Sequence, residues 1–322
     1  MAVVIKTNLE SMIVQKNLNS ATNSLNNAIE RMTTGYKINH AGDNAANYSI
    51  SNSWVTKLGS LDIATENASM GKDMLSTTEE NYNLVTRHLQ RVRDLTEQAA
   101  NGTYGSVSLK AIQAEIKSRL EEITRIAKNA EFNDINLMTG SSMLSNGVDI
   151  QVGLAATDES VIKLASTLFG DATVKGLFNS DTAFMAIVAD AFGGTAPSDL
   201  NTDDGYTAVS AAFAGLKKSG NKWIMQSAAG KMPKDTLAAI DAAISNISGR
   251  VTALGAAQNK VDSAISSLDV QTQNLTSSLS TIRDADVAKE SSAYIQSQIL
   301  QQASATLLAT ANQAPSIALS LI

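Results

Sequence analysis

LAAIDAAISNISGRVTALGAAQNKVDSAISSLDVQTQNLTSSLSTI, residues 237–282, is the stretch that decides how this chain folds. Stepping alternately three and four residues from Leu237 meets Ile240, Ile244, Ile247, Val251, Leu254, Gln258, Val261, Ile265, Leu268, Thr272, Leu275, Leu279 and Ile282. Twelve of these fourteen positions are apolar. An apolar seam that repeats every 3.5 residues predicts a helix lying along partner helices. At 1.5 Å rise per residue it extends about 70 Å, far beyond an ordinary globular helix.

Such a rod needs a partner of similar length. A second heptad runs from Leu61 through Ala64, Ala68, Gly71, Leu75, Thr78, Tyr82, Val85, Leu89, Val92 and Thr96 to Ala99. It is richer in small residues. Asp43, just ahead of Ala45-Ala46, is the expected N-cap, and Asn101-Gly102 the expected stop. A shorter helix fits Leu109, Ile112, Ile116, Leu120 and Ile123, closing at Asn129. The three predict a mainly α protein, an elongated coiled-coil-like helical bundle.

The two ends read differently. Leu18, Ala21, Leu25, Ala28 and Met32 recur at three-four spacing until Thr34-Gly35, and between Ser11 and Ile29 only Lys16 is charged. From Ser291 to Ile322 there is no charge at all; Ile295, Ile299, Leu300, Leu307 and Leu308 alternate with Gln, Ser and Thr. These polar interruptions leave the tail short of the near-continuous apolar run that a membrane span requires. Two charge-poor amphipathic helices at opposite ends of a chain are expected to pair.

Between the bundle segments the texture changes. Val148, Ile150 and Val152 alternate with polar residues ahead of Thr157-Asp158-Glu159 and Val161-Ile162-Lys163-Leu164, which predicts a short β-hairpin. From about residue 170 to 232 the chain is rich in Gly, Ala and Asp, with Gly193-Gly194, Pro197 and Asp203-Asp204-Gly205 as turn signals. Five of the six Phe lie in residues 169–213, so we expect a small inserted domain with its own core rather than a disordered loop. The expected divisions are 1–44, 45–169, 170–232, 233–283 and 284–322.

Composition narrows the function. Charged residues make up 17% and the net charge is −6, with no polybasic bias toward nucleic acid or membrane. Cysteine is absent, so disulfides, thiolate metal sites and a cysteine nucleophile are excluded. The N-terminus has no basic and apolar run of a cleavable signal. The two histidines, His40 and His88, form no H-E-x-x-H pattern. Residues 199–205 start like a calcium loop, but Asp204 stands where Gly is needed and Ser210 where Glu is needed. Gly230-Lys231 lacks both the first P-loop glycine and the following hydroxyl. Glu79-Glu80 and Glu121-Glu122 read as solvated helix surface, and Arg87, Arg91 and Arg93, without interleaved aromatics, as a protein interface or solvated face. No catalytic residue, cofactor site or metal site is predicted. Periodicity at both ends remains, the mark of an assembly module.

Several non-periodic strings resemble bacterial flagellins. They are Arg31-Met32-Thr33-Thr34-Gly35-Tyr36-Lys37-Ile38-Asn39 with Ala41-Gly42-Asp43-Asn44-Ala45-Ala46, then Leu89-Gln90-Arg91-Val92-Arg93-Asp94-Leu95 through Gln98-Ala99-Ala100-Asn101. Near the end come Ile282-Arg283-Asp284-Ala285-Asp286, Gln298-Ile299-Leu300-Gln301-Gln302-Ala303 and Ala311-Asn312-Gln313-Ala314-Pro315. The resemblance covers about the first 165 and last 85 residues and leaves the middle without a match. It implies a non-enzymatic, extracellular filament subunit for swimming, secreted by the flagellar export apparatus without a cleaved signal. The terminal helices would line an inner tube, with Leu18, Leu25, Met32, Ile295, Ile299 and Leu307 packing there, and the heptad helices would form an outer tube. Further implied partners are other copies of the chain, an export chaperone, filament cap and junction proteins and the animal flagellin receptor. A hook–filament junction protein, or a filament subunit with an enzymatic middle domain, are the alternatives.

The heptad adds an expectation of its own. With Leu89, Val92, Thr96 and Ala99 in the seam, Leu84, His88, Arg91, Leu95 and Gln98 form the adjacent stripe, which predicts an exposed Leu95 on a free monomer. By resemblance, Arg91, Leu95 and Glu115 match the receptor-contacting motif, and Gln98 shares their stripe.

Overall fold

All fourteen heptad positions from Leu237 to Ile282 lie on one helix, α7 (Met232–Arg283), and none of them is exposed. A computed structural model describes residues 8–140, 144–155, 157–178, 181–192, 197–219, 222–225 and 232–319. Ile240, Ile247, Leu254, Val261 and Leu268, seven residues apart, are buried, while the intervening seam positions are half-buried. The second heptad lies on α2 (Ala45–Ala99), where every position from Leu61 to Thr96 is buried and Ala99 half-buried. The third helix is α3 (Ser106–Asn129), ending where the sequence predicts.

The start of α2 corrects one expectation. Asp43 is not its cap: its carboxylate accepts the amides of Asn39 and His40 at 3.0 Å each and closes the preceding turn. Those amides, His40 first, hold the Asp43 carboxyl below its ordinary pKa. Asn44 caps instead, accepting the amide of Asn47 at 3.0 Å. An N-cap oxygen reaches the second or third amide ahead, and Asp43 stands one residue too early to do so.

The chain forms two compact units, residues 61–269 and residues 1–60 with 270–322. In the first, α2 and α7 run antiparallel, as three cross-links show. Lys72 pairs with Asp262 at 2.7 Å, Gln258 donates to Glu79 at 2.9 Å and Arg93 donates to Asp241 at 2.7 Å. Gln258, one of the two polar breaks in the heptad, thus has its bond. After α3 a two-residue ladder pairs β1 (Glu131–Phe132) with β2 (Ile135–Asn136). Asn133 and Asp134 both take positive φ, the backbone that a two-residue hairpin turn demands. The expected hairpin follows as β3 (Val148–Gln151) antiparallel to β4 (Val161–Leu164), Ile150 opposite Ile162. Val152 falls outside the ladder, because its amide and that of Gly153 both donate to the Ser160 carbonyl at 2.9 Å. Ile150 settles against Gly71 of α2, where any side chain would collide with it.

Residues 170–232 carry α4 (Val174–Phe178), α5 (Thr182–Phe192), α6 (Asp203–Phe213) and the paired β5 (Leu216–Ser219) and β6 (Lys222–Met225). Phe178, Phe184 and Phe213 cluster with ring centroids 5.2–5.6 Å apart, Phe184 stacked on Phe213 and Phe178 edge-on to Phe213. They do not form a core of their own, as the sequence suggested: the same buried cluster continues through Leu120 and Ile123 of α3 into α2 and α7. The cause is α3, whose buried residues include Leu109, Ile112, Gln113, Ile116, Leu120, Ile123, Thr124, Ile126 and Ala127, too wide an arc for one partner. Lys117 reaches Asp203 at 2.5 Å and Gln113 the Thr207 carbonyl at 3.4 Å, so α6 covers the remaining face. The calcium-loop string is a helix start: Thr202 caps α6 by accepting the Gly205 amide, and Asp199 accepts the Asn201 amide. Gly193-Gly194 and Gly230-Lys231 lie outside the described residues, as do residues 1–7 and 320–322.

In the second unit α1 (Leu9–Thr34) pairs with α8 (Val287–Leu319). Gly35 ends α1 at φ +74°, donating to the Arg31 carbonyl as an αL cap.

Candidate interaction surfaces

The α1–α8 pair is built on small residues. Ala21 and Ala28 on α1, and Ser297, Ser304 and Ala311 on α8, are its buried positions, each set spaced by seven. Small side chains bring the helix backbones close together. The ends are antiparallel and tied by polar bonds: Arg31 to Glu290 at 3.5 Å, Gln301 to Thr22 at 3.1 Å, Ser11 to Asn312 at 2.8 Å and Asn8 to the Ala311 carbonyl at 2.7 Å. At the base, Lys37 donates its amide to the Arg283 carbonyl at 2.7 Å and Ala285 to that of Gly35 at 2.8 Å, while the Arg283 guanidinium lies 4.0 Å over the Tyr36 ring.

Of the six apolar residues singled out on these helices, Leu18 and Leu25 are half-buried. Met32, Ile295, Ile299 and Leu307 are left in solvent, exposed by 38–59%. Leu9, Met12, Ile13 and Leu300 join them. The helix pair therefore uses alanine and serine on its internal seam, half-buries Leu18 and Leu25, and leaves most of its larger aliphatic side chains bare. The seam residues Ser297, Ser304 and Ala311 escaped the sequence reading because two of them are polar; their seven-residue spacing was the available signal. Replacing Ala28, 3% exposed, by Leu is expected to push the helices apart and cost about 1–3 kcal/mol of pairing. Filament yield should fall, and unaltered yield with unaltered helicity by circular dichroism would contradict the seam.

The second surface lies on α2 and α3 in the other unit. Arg91 donates from Nε, with Nη2 also 2.9 Å from the same Glu115 oxygen, and Arg119 stands 3.7 Å from that oxygen. Gln98 donates to the Tyr104 hydroxyl at 2.8 Å. His88 has its pKa lowered by burial and then by Arg119, so it adds no charge at neutral pH. Leu95 corrects the sequence reading: it is 2% exposed and belongs to the core. Arg91 reaches α3 while Arg93 reaches α7, so two helices flank α2 here and the buried arc is wide enough to include Leu95. Arg91, Gln98 and Glu115 stay at the surface above it. Among the described residues no group of three His, Cys, Asp or Glu is placed to hold a metal ion, and no described helix is long and apolar enough to cross a membrane.

A helical protein that leaves aliphatic rows uncovered on a charge-poor terminal helix pair is suited to complete its packing by association. The family model of the bacterial flagellin N-terminal helical region matches residues 5–143, and that of the C-terminal helical region matches residues 237–322. Across its whole length, and the whole of each relative, the chain is 30% identical to polar flagellin F of Vibrio parahaemolyticus, 31% to flagellin C of Vibrio anguillarum and 32% to flagellin C of Vibrio cholerae. The chain belongs to the bacterial flagellin family, and it is a structural subunit of the extracellular flagellar filament.

Proposed function

We propose that the α1–α8 pair lines the inner tube of the filament, with residues 1–44 and 284–322 as its two contributions and 45–169 with 233–283 as the outer-tube wall. The observation that carries this is the row of bare aliphatic residues, Ile295, Ile299 and Leu307 among them, on helices nearly free of charge. Neighbouring copies cover the apolar rows. The Asn, Gln and Ser faces give a channel that is polar without fixed charge, through which unfolded subunits pass without electrostatic trapping. Residues 170–232 form the variable outer surface. The partners in this scheme are the export apparatus with its chaperone, acting without signal cleavage, and the cap and junction proteins at the two ends of the filament.

On the α2–α3 face, Arg91, Gln98 and Glu115 serve a subunit contact in the filament and recognition of free monomer by the animal flagellin receptor. Support comes from the Arg91–Glu115 pair, which joins Arg91 of the α2 stripe to Glu115 of α3 at the surface. Leu95 lies beneath them and supports the face without touching a partner. The test compares receptor activation by wild-type monomer, Arg91→Ala monomer and intact filaments. Arg91→Ala is expected to lower activation about tenfold or more with its helicity intact, as loss of a central arginine contact does. Filaments should activate far less than monomer. Equal potency of the folded variant and the wild type removes Arg91 from the receptor site.

A further inference from the structure

Arg250, on α7 in the unit of residues 61–269, is a half-buried cation whose bonds all go to neutral oxygens. Its Nη1 donates to the Asp171 carbonyl at 3.2 Å and to the Tyr82 hydroxyl at 3.4 Å, and the Tyr82 hydroxyl in turn donates to the Leu168 carbonyl at 2.9 Å. The Asp171 carboxylate accepts the Thr173 amide at 2.8 Å and is not paired with Arg250. No carboxylate of the described residues stands within ion-pair distance of Arg250. The guanidinium lies flat on Gly170: a Cβ there would be 2.7 Å from Cζ and 2.8 Å from both Nη atoms, so only glycine admits this placement.

The fork is therefore fixed by Nη1 alone, and Nε and Nη2 have no acceptor within the described chain. Beside them opens a cleft of about 340 Å³ lined by Thr167, Gly170, Asn246, Gly249, Arg250 and Ala253. Its polar side chains are a guanidinium, an amide and a hydroxyl. None of the lining residues is acidic. A partly desolvated charge held only by neutral oxygens has given up hydration without the Coulomb return an anion supplies. Its planar donor fork matches two oxygens of one oxyanion. We propose that this cleft is a binding site for a small oxyanion, either a carboxylate or an inorganic phosphate or sulfate, gripped by Arg250 and flanked by Asn246 and Thr167.

The test uses full-length monomer labelled with ¹⁵N-arginine, in which Arg250 is one of eight arginines. Its Nε–H signal is assigned by its loss in Arg250→Lys, and sodium phosphate and sodium acetate are titrated separately against chloride at constant ionic strength. The Arg250 signal should move saturably, half-complete below about 10 mM anion. Saturation by phosphate alone defines a tetrahedral-anion site, and saturation by acetate as well defines a carboxylate site. The second variant, Asn246→Asp, puts a carboxylate four residues before Arg250 and so within reach of it on the helix. Its Arg250 signal should start shifted and no longer respond. Asn246 is exposed, so this variant keeps the assignment available should Arg250→Lys fail to fold. Linear drift of Arg250 in step with the exposed arginines, or an undiminished response in Asn246→Asp, overturns the site.

Discussion

A chain trimmed of residues 1–34 and 287–322 is expected to remain folded and soluble and to form no filaments under conditions where the full chain polymerises completely. The expectation rests on the uncovered aliphatic residues of the terminal helix pair. Leu9, Met12, Ile13, Ile295, Ile299, Leu300 and Leu307 all lie on α1 and α8, and all are removed. The contiguous hydrophobic cluster, by contrast, is drawn from residues 68–261 and keeps every member. Loss of assembly should thus come without loss of the near-complete helicity of α2, α3 and α7. Electron microscopy and sedimentation decide the matter. Long filaments from the trimmed chain would refute the assignment of the polymer contacts to the ends, whereas a trimmed chain that unfolds would show that the 61–269 unit depends on them.

The second large effect concerns Leu95. Because it is 2% exposed within the core, Leu95→Ala is expected to destabilise the protein by about 2–5 kcal/mol, through lost apolar burial and the cavity left behind. For a packing unit of this size that lowers Tm by about 4–20 °C. Arg91→Ala, removing one side of an exposed ion pair, should change stability by no more than about 1 kcal/mol. Scanning calorimetry of the two variants separates them cleanly. Equal and small Tm changes would return Leu95 to the surface. The comparison also guards the receptor experiment, since reduced activation by Leu95→Ala reports loss of support beneath the face, while reduced activation by Arg91→Ala reports the contact.

Most of the helical architecture was legible because a period of 3.5 sustained over many turns admits one interpretation. The seam of α7 and the seam of α2 were both read residue by residue from spacing alone. What failed was the width of each buried face. A heptad line describes contact with one partner, yet α2 touches α7 through Arg93 and α3 through Arg91, which buries Leu95 beside the line, while Met74 is buried where Phe132, Ile135 and Val148 lie. The same arithmetic misplaced the phenylalanines, because α3 has enough apolar surface to accept a second layer and no periodicity in residues 170–232 announces where they dock. Local punctuation was read to within a residue: Gly35 stops α1 as expected, while the cap of α2 moved from Asp43 to Asn44. The Arg250 cleft left no mark in the sequence, since its shape depends on Gly170 and Tyr82, 80 and 168 residues away.

The alanine and serine seam between α1 and α8 has a thermodynamic consequence. Each buried methyl group contributes on the order of 0.8 kcal/mol, so three alanines supply only a small part of what two helices of 26 and 33 residues need to remain docked. On the proposed inner-tube packing, the larger share is withheld until bare isoleucines and leucines meet those of other copies. Docking of the ends and growth of the polymer then become one coupled equilibrium. A lone chain gains little by ordering its ends, the first few copies to meet gain little more, and each later arrival finds a finished template. Growth of that kind has a concentration threshold and proceeds from existing tips, so subunits in dilute supply add to a filament already begun and do not start new ones.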